Sequence, residues 1–140
     1  MEEISIPEGV DIIGESAFMY SGLKKVSLPE SVVDIGDYAF MECIHLSEIN
    51  IPKCVENIGY WCFSNTDYLL DMESDEYGCK YVQNHIVGFV DKGKKEIIIK
   101  EGTVSIADSV FSEVAFEKVI FPKELKYIGD FAFAFCKNLR

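Results

Sequence analysis

The sequence predicts a solenoid, mainly β or α/β in class, of about five stacked coils with short helical turns and one inserted β-hairpin. Three observations carry this: a motif that recurs five times, a spacing of about 22 residues between copies, and a second fixed pattern that fills the gap. The motif is clearest at Leu28–Phe40, LPESVVDIGDYAF. Copies lie at Ile6–Phe18, Ile51–Phe63, Ile99–Phe111 and Phe121–Phe133. Counted from the proline, isoleucine stands at +6 in all five copies (Ile13, Ile35, Ile58, Ile106, Ile128) and phenylalanine at +11 (Phe18, Phe40, Phe63, Phe111, Phe133). Position +3 is aliphatic (Val10, Val32, Val55, Leu125) except at Thr103, and +7 is glycine except at Ala107. From Pro7 to Pro29 is 22 residues, to Pro52 a further 23, to Lys100 a further 48, and to Pro122 a further 22. A segment this short cannot hide its own apolar side, so each must lean on the next.

The first strand is residues 1–6. Ile4 and Ile6 point inward while Glu3 and Ser5 point out, the period of two of a strand. Pro7 closes it, having no N–H for a further ladder bond. Val10 and Ile13 return to the core, and Gly14 permits a tight bend. Glu15–Phe18 reads as one helical or 3₁₀ turn. The position after glycine holds Glu15, Asp37, Tyr60, Asp108 and Asp130, and acids there suit the N-terminus of such a turn. The next position holds Ser16, Tyr38, Trp61, Ser109 and Phe131. That column is either an exposed aromatic stripe or packing over the turn, and the habit of aromatics to bury area favours packing.

Coils are expected near 1–28, 29–51, 52–72, 99–121 and 122–140, in a single domain over 1–140. The pattern breaks after Met72, leaving an insertion at 73–98. Within it Glu73–Gly78 is a polar loop. Tyr81–Asn84, Ile86–Val90 and Glu96–Ile99 read as strands, with Asp91–Lys95 turning the last two into a hairpin. The coil at 99–121 is the most degenerate, with Lys100 for proline and Val110 for alanine. Residues 1–6 and 138–140 read as partial coils, the mark of an excerpt from a longer protein; a short natural chain is the alternative.

Between one phenylalanine and the next proline runs the second pattern, Leu23-Lys-Lys-Val26-Ser-Leu28, repeated at Leu46–Ile51 and Phe116–Phe121. This is an L-x-x-L-x-L core. Joined to I-P-x-x-V-x-x-I-G-x-x-A-F, it resembles the BspA-type leucine-rich repeats of bacterial and protozoan surface proteins. The resemblance covers nearly the whole chain. It implies a right-handed leucine-rich-repeat superhelix, an adhesive role toward host or matrix proteins or other cells, and a cell-surface or secreted location. It also implies the inserted hairpin, with His85 where the family's strand has glycine.

Composition narrows the function classes. The 140 residues carry 24 acids against 13 bases, a net charge of −11. That sign argues against nucleic acid and anionic membranes, which want basic patches. No apolar run reaches the roughly 18–20 residues of a membrane span, and the acidic start Met1-Glu2-Glu3 is unlike a signal peptide. Five cysteines cannot all pair; Cys43, Cys62 and Cys136 fall in repeat columns and read as small core residues, while Cys54 and Cys79 have no column partner. With two histidines and no C-x-x-C, no zinc site is expected. Glu73–Glu76 is oxygen-rich enough for a weak calcium site but lacks EF-hand spacing.

No nucleophile elbow, H-E-x-x-H or phosphate-binding glycine loop is present, so no enzyme activity and no cofactor are expected. His45 and His85 read as surface residues away from any nucleophile. Binding is the better account. The outward strand positions are Glu3 and Ser5; Lys24, Lys25 and Ser27; Ser47, Glu48 and Asn50; Asp71 and Glu73; Glu117, Lys118 and Ile120. Lys24, Lys25, Ser27, Ser47, Glu48, Asn50, Glu117, Lys118 and Ile120 are the candidate partner-binding residues, for a protein or a glycan. The alternative is a structural spacer or assembly segment that associates end to end through uncapped coils.

Overall fold

The computed structural model describes all 140 residues, Met1–Arg140. They form two compact units, Met1–Met72 and Glu73–Arg140; the division falls where the repeat pattern breaks.

The first unit holds β1 (Glu3–Ser5), β2 (Ile12–Ile13), β3 (Lys25–Ser27), β4 (Asp34–Ile35), β5 (Glu48–Asn50), β6 (Asn57–Ile58) and α1 (Asp67–Leu70). Its three coils stack in register. β1, β3 and β5 make one parallel sheet, with Ile4, Val26 and Ile49 opposite one another. β2, β4 and β6 make a second, with Ile13, Ile35 and Ile58 aligned. The repeat phenylalanines stack from coil to coil, Phe18 on Phe40 at 5.4 Å and Phe40 on Phe63 at 5.9 Å, with their ring planes nearly parallel.

The second unit holds β7 (Cys79–Val82), β8 (His85–Phe89), β9 (Glu96–Ile98), β10 (Ser105–Ile106), β11 (Lys118–Ile120) and β12 (Tyr127–Ile128). The inserted hairpin is present, but one arm earlier than the sequence places it. β7 pairs antiparallel with β8 across Gln83 and Asn84. β9 does not fold back on β8; it pairs parallel with β11. The reason is register. β8 lies parallel to β10, which lies parallel to β12, so Ile86, Ile106 and Ile128 form an isoleucine row like that of the first unit. The segment read as an insertion therefore supplies a coil of its own, and the solenoid has about six turns.

The stretch after each repeat glycine is not helical. It is a chain of β-turns in which odd and even amides have different partners. Ala17, Met19 and Ser21 donate to Gly14, Ser16 and Phe18 within the coil, while Ser16, Phe18 and Tyr20 donate to Asp37, Ala39 and Met41 of the next coil. The same alternation recurs from Tyr38 to Cys43 and from Ser109 to Val114. Every amide from Ser16 to Ser21 and from Tyr38 to Cys43 is thereby paired. The third residue of the first turn has positive φ in all five motif copies (Ser16, Tyr38, Trp61, Ser109, Phe131), the backbone of a type II turn. That conformation points the side chain outward. Trp61 and Phe131 are exposed while Tyr38 and Ser109 are half-buried, and the Tyr38 and Trp61 rings both pack on Tyr60, so the column combines exposure with packing.

The acids after the glycine act differently from the expected caps. Asp37 Oδ1 accepts the Tyr60 amide at 2.7 Å, and Asp108 Oδ1 accepts the Asp130 amide at 2.6 Å. Each bridges to the same column of the following coil. Nor does the glycine serve a bend, since neither Gly14, Gly36, Gly59 nor Gly129 has positive φ. Its use is close approach: a Cβ at Gly36 would lie 2.7 Å from the Glu15 amide nitrogen, and one at Gly59 would meet the Asp37 backbone. Cysteine has a column role too. Cys43 donates its thiol to Phe18 O at 2.9 Å and Cys136 to Phe111 O at 3.0 Å. Burial pushes the Cys79 thiol up to about 12 and that of Cys62 further in the same direction; all five cysteines are free and only Cys54 is exposed.

In the third coil the strand expected around Asp71 is absent. Thr66, fully buried, caps α1 instead, its hydroxyl accepting the Leu69 amide and donating to Phe63 O.

Candidate functional site: the strand faces

Side chains alternate along the three-residue strands, so each coil offers two outward columns. In the first unit one column reads Glu3, Lys25, Glu48 and the other Ser5, Ser27, Asn50. Charge alternates down the first column, and Lys25 Nζ lies 3.3 Å from Glu48 Oε2. Lys24, just before β3, reaches Glu2 Oε1 at 2.9 Å, and that ammonium holds the Glu2 carboxyl below its usual range. All four side chains stay well exposed, so water and salt screen each pair and neither contributes much to stability. The pairing sets a pattern of charge more than it holds the fold.

Six of the nine candidate residues gather here. Lys25, Ser27, Ser47, Glu48 and Asn50 line a cleft of about 420 Å³, with Lys24 beside them. Val26 and Ile49 also line it, as does a residue the sequence reading missed, Tyr68 of α1. Its amide donates to Leu46 O at 2.7 Å and its ring meets Phe63 edge-on. Burial raises its phenol, which keeps the hydroxyl protonated as a donor. No strand signal marks Tyr68; only the helix cap at Thr66 could have shown that the third coil closes differently. Asn50 is already engaged. Its amide donates to Leu28 O and accepts Leu28 N–H, both at 2.8 Å, so the side chain extends the sheet by one backbone-like step.

The remaining three candidates lie in the second unit. Lys118 and Ile120 sit on β11, opposite Glu96 and Ile98 of β9, and Glu117 precedes β11. Lys118 pairs with Glu96 at 3.3 Å and Glu117 with Lys95 at 3.5 Å. Where the first unit has serine and asparagine in its second column, this one has Ile98 and Ile120, 39% and 38% exposed. Both strand faces carry a column of paired charges, and they differ in the second column: polar in the first unit, apolar in the second.

The histidines divide. His45 is exposed as expected. His85 is not a surface residue; it is 2% exposed, and its Nδ1 lies 2.6 Å from Ser105 Oγ. The β8–β10 register sets the two opposite one another. A serine beside a histidine is the start of a nucleophile–base pair, but an imidazole so enclosed offers no surface to a substrate. The acidic loop at residues 73–76 does not converge either. Asp75 Oδ1 accepts the amides of Tyr77 and Cys79, both at 2.9 Å, and no three acid, histidine or cysteine side chains cluster as a metal site. No helix is long and apolar enough to cross a membrane.

Comparison with known proteins agrees with this architecture. The model of the BspA type leucine-rich repeat region matches in six copies, over residues 1–90 and 77–140. Among solved structures, the chain is similar to the leucine-rich repeat protein of T. pallidum, at 25% identity and a TM-score of 0.52, over 98% of this chain and 56% of that one. A leucine-rich repeat protein from Bacteroides ovatus matches at 26% identity and a TM-score of 0.45, over 99% and 36%. The pneumococcal vaccine antigen PcpA matches at 20% identity and a TM-score of 0.44, over 91% and 40%. The chain thus spans about half or less of each of these proteins. No curated protein matches it. Six family copies over the whole length, on coils whose isoleucines and phenylalanines stack in rows, make the chain a member of the BspA-type leucine-rich repeat family.

Proposed function

We propose that the chain is a non-catalytic recognition module that holds a protein partner on its exposed strand faces, as an adhesive segment of a cell-surface or secreted protein. The observation that carries this is the cleft on β3 and β5. It joins a fixed polar floor, an alternating row of charges and the Tyr68 ring within about 420 Å³. Polar groups held by backbone register are preorganised, which lowers the ordering cost of binding. An aromatic beside charged pairs is the composition of interface anchors. The tyrosine and serine hydroxyls would also suit a glycan, and matrix surfaces present both.

The test is adhesion to surfaces coated with purified collagen or fibronectin. We expect Lys25→Ala, Glu48→Ala and Lys118→Ala together to weaken adhesion about tenfold or more, the effect of roughly 1.4 kcal/mol, with unchanged circular dichroism. Undiminished adhesion of the triple variant would remove the strand faces as the site.

A second reading, assembly by stacking of coils, has its own observation. In the coil of β12 the amides of Phe131, Phe133 and Phe135 lack the partners that Ser109, Phe111 and Glu113 have, and Ile128, Phe131 and Phe135 are 51%, 71% and 73% exposed. In the coil of β2 the carbonyls of Glu15, Ala17 and Met19 are correspondingly unused. Such complementary edges favour head-to-tail pairing. Light scattering should then show mass rising with concentration, and Phe131→Lys with Phe135→Lys should abolish the rise. A constant monomer mass up to high concentration would remove this reading.

A further inference from the structure

The second unit has a cleft that neither reading uses. It measures about 510 Å³ and is lined by Asp75, Glu76, Tyr77, Tyr81, Ile98 and Lys100. Tyr77 and Tyr81 are half-buried and pack on the core beneath, which fixes their rings. Ile98 supplies an exposed aliphatic wall that continues onto Ile120 through the strand register. The Asp75 carboxylate is held by two loop amides through Oδ1. Glu76 is exposed and makes no ion pair.

Lys100 shows what such a cleft attracts. It stands where the four other motif copies carry proline. Its amide donates to Tyr81 Oη at 3.1 Å, a bond proline could not make, and its ammonium lies 5.7 Å from the Tyr81 ring centroid. That is within cation–π range. Burial pushes the Tyr81 phenol up to about 12, so the ring meets the ammonium as a neutral phenol. The chain's own cation is thus seated on the ring while the residue stays exposed to solvent. Lys92, the other nearby base, is tied to the Asp75 main-chain carbonyl at 2.7 Å rather than to a carboxylate.

We propose that this cleft binds the cationic side chain of a basic peptide segment, a lysine or arginine of a partner protein, with Lys100 as its internal competitor. The aliphatic stem lies along Ile98 and the tyrosine rings. The charged head sits between the Tyr81 face and the carboxylates of Asp75 and Glu76. Arginine is the better fit, because its planar guanidinium stacks on a ring and pairs with a carboxylate at once. A ligand cation must displace Lys100 from the ring. Wild-type affinity is therefore lowered by the fraction of time Lys100 occupies it.

This does not depend on the strand-face reading, since short probes report on the cleft alone. The experiment is a titration of the full chain with acetyl-Gly-Arg-Gly-amide, followed through the ring resonances of Tyr77 and Tyr81. The neutral citrulline peptide is the control. We expect saturable shifts with the arginine probe only. Lys100→Ala should tighten binding about threefold to tenfold by removing the competitor, and Glu76→Gln should weaken it by a similar factor. Glu30→Gln, an exposed acid in the first unit, should leave it unchanged. Equal shifts with citrulline, equal losses in Glu30→Gln and Glu76→Gln, or no saturable shift in either wild type or Lys100→Ala would each overturn the proposal. Circular dichroism of each variant confirms that the fold is kept.

Discussion

Phe40→Ala is expected to cost about 3–5 kcal/mol, the range for emptying a phenylalanine site in a core that cannot collapse. Phe40 is fully buried, with Phe18 stacked on one side and Phe63 on the other. Its removal opens a void at two coil interfaces at once. In a solenoid, stability is close to a sum of nearest-neighbour terms, so a central coil loses two terms where a flanking one loses a single term. Phe18, half-buried and stacked only on Phe40, is the internal comparison. Phe18→Ala should cost clearly less, about 1–2 kcal/mol. Urea unfolding of both variants measures the difference. Equal losses would show that the phenylalanine row is not the coupling element between coils.

The row was readable from the sequence because its signal is a fixed interval. Isoleucine at +6 and phenylalanine at +11 recur in all five motif copies, and an inward residue of a stacked coil has no freedom to change column. The sixth coil was not readable. It has no I-P entry, no glycine and no phenylalanine at the expected spacing, because β7, paired antiparallel with β8, replaces the usual turn, and Ile86 reaches its row only through the parallel pairing of β8 with β10. A register of that kind depends on which strand finds which, a long-range choice that local pattern does not encode. The turns were misread for a related reason. Positive φ is ordinarily advertised by glycine or asparagine. Here Ser16, Tyr38, Trp61, Ser109 and Phe131 adopt it, at a local cost of roughly 1–2 kcal/mol each, offset by the paired amides of the neighbouring coil. Of the candidate site, the columns of alternating charge followed directly from period two. Tyr68, Tyr77 and Tyr81 did not, since each lies where the repeat is broken by a helix or a hairpin.

Gly59→Ala should destabilise the first unit by about 1–3 kcal/mol, the cost of forcing a methyl into a packed site, while Gly14→Ala should be neutral or slightly stabilising. Both glycines hold the same column, and neither has positive φ, so backbone strain predicts equal effects. Their surroundings differ. A Cβ at Gly59 would lie 2.5 Å from Asp37 Oδ1 and 2.5 Å from Gly36 C, whereas one at Gly14 would meet nothing within 4 Å. The obstacle is backbone of the preceding coil, held by the Gly59 amide bond to Ile35 O at 2.7 Å, and it cannot swing away as a side chain would. Ala107 follows the same rule. It takes the glycine column where the preceding coil is the hairpin strand β8 rather than an Asp-containing turn. At Gly14 the loss of unfolded-chain freedom favours alanine by about 0.4–1 kcal/mol. Thermal unfolding of the two variants separates the explanations: a matched pair of small losses would return the glycine to its role as a bend. A loss at Gly59 alone makes it the residue that sets how closely two coils can stack.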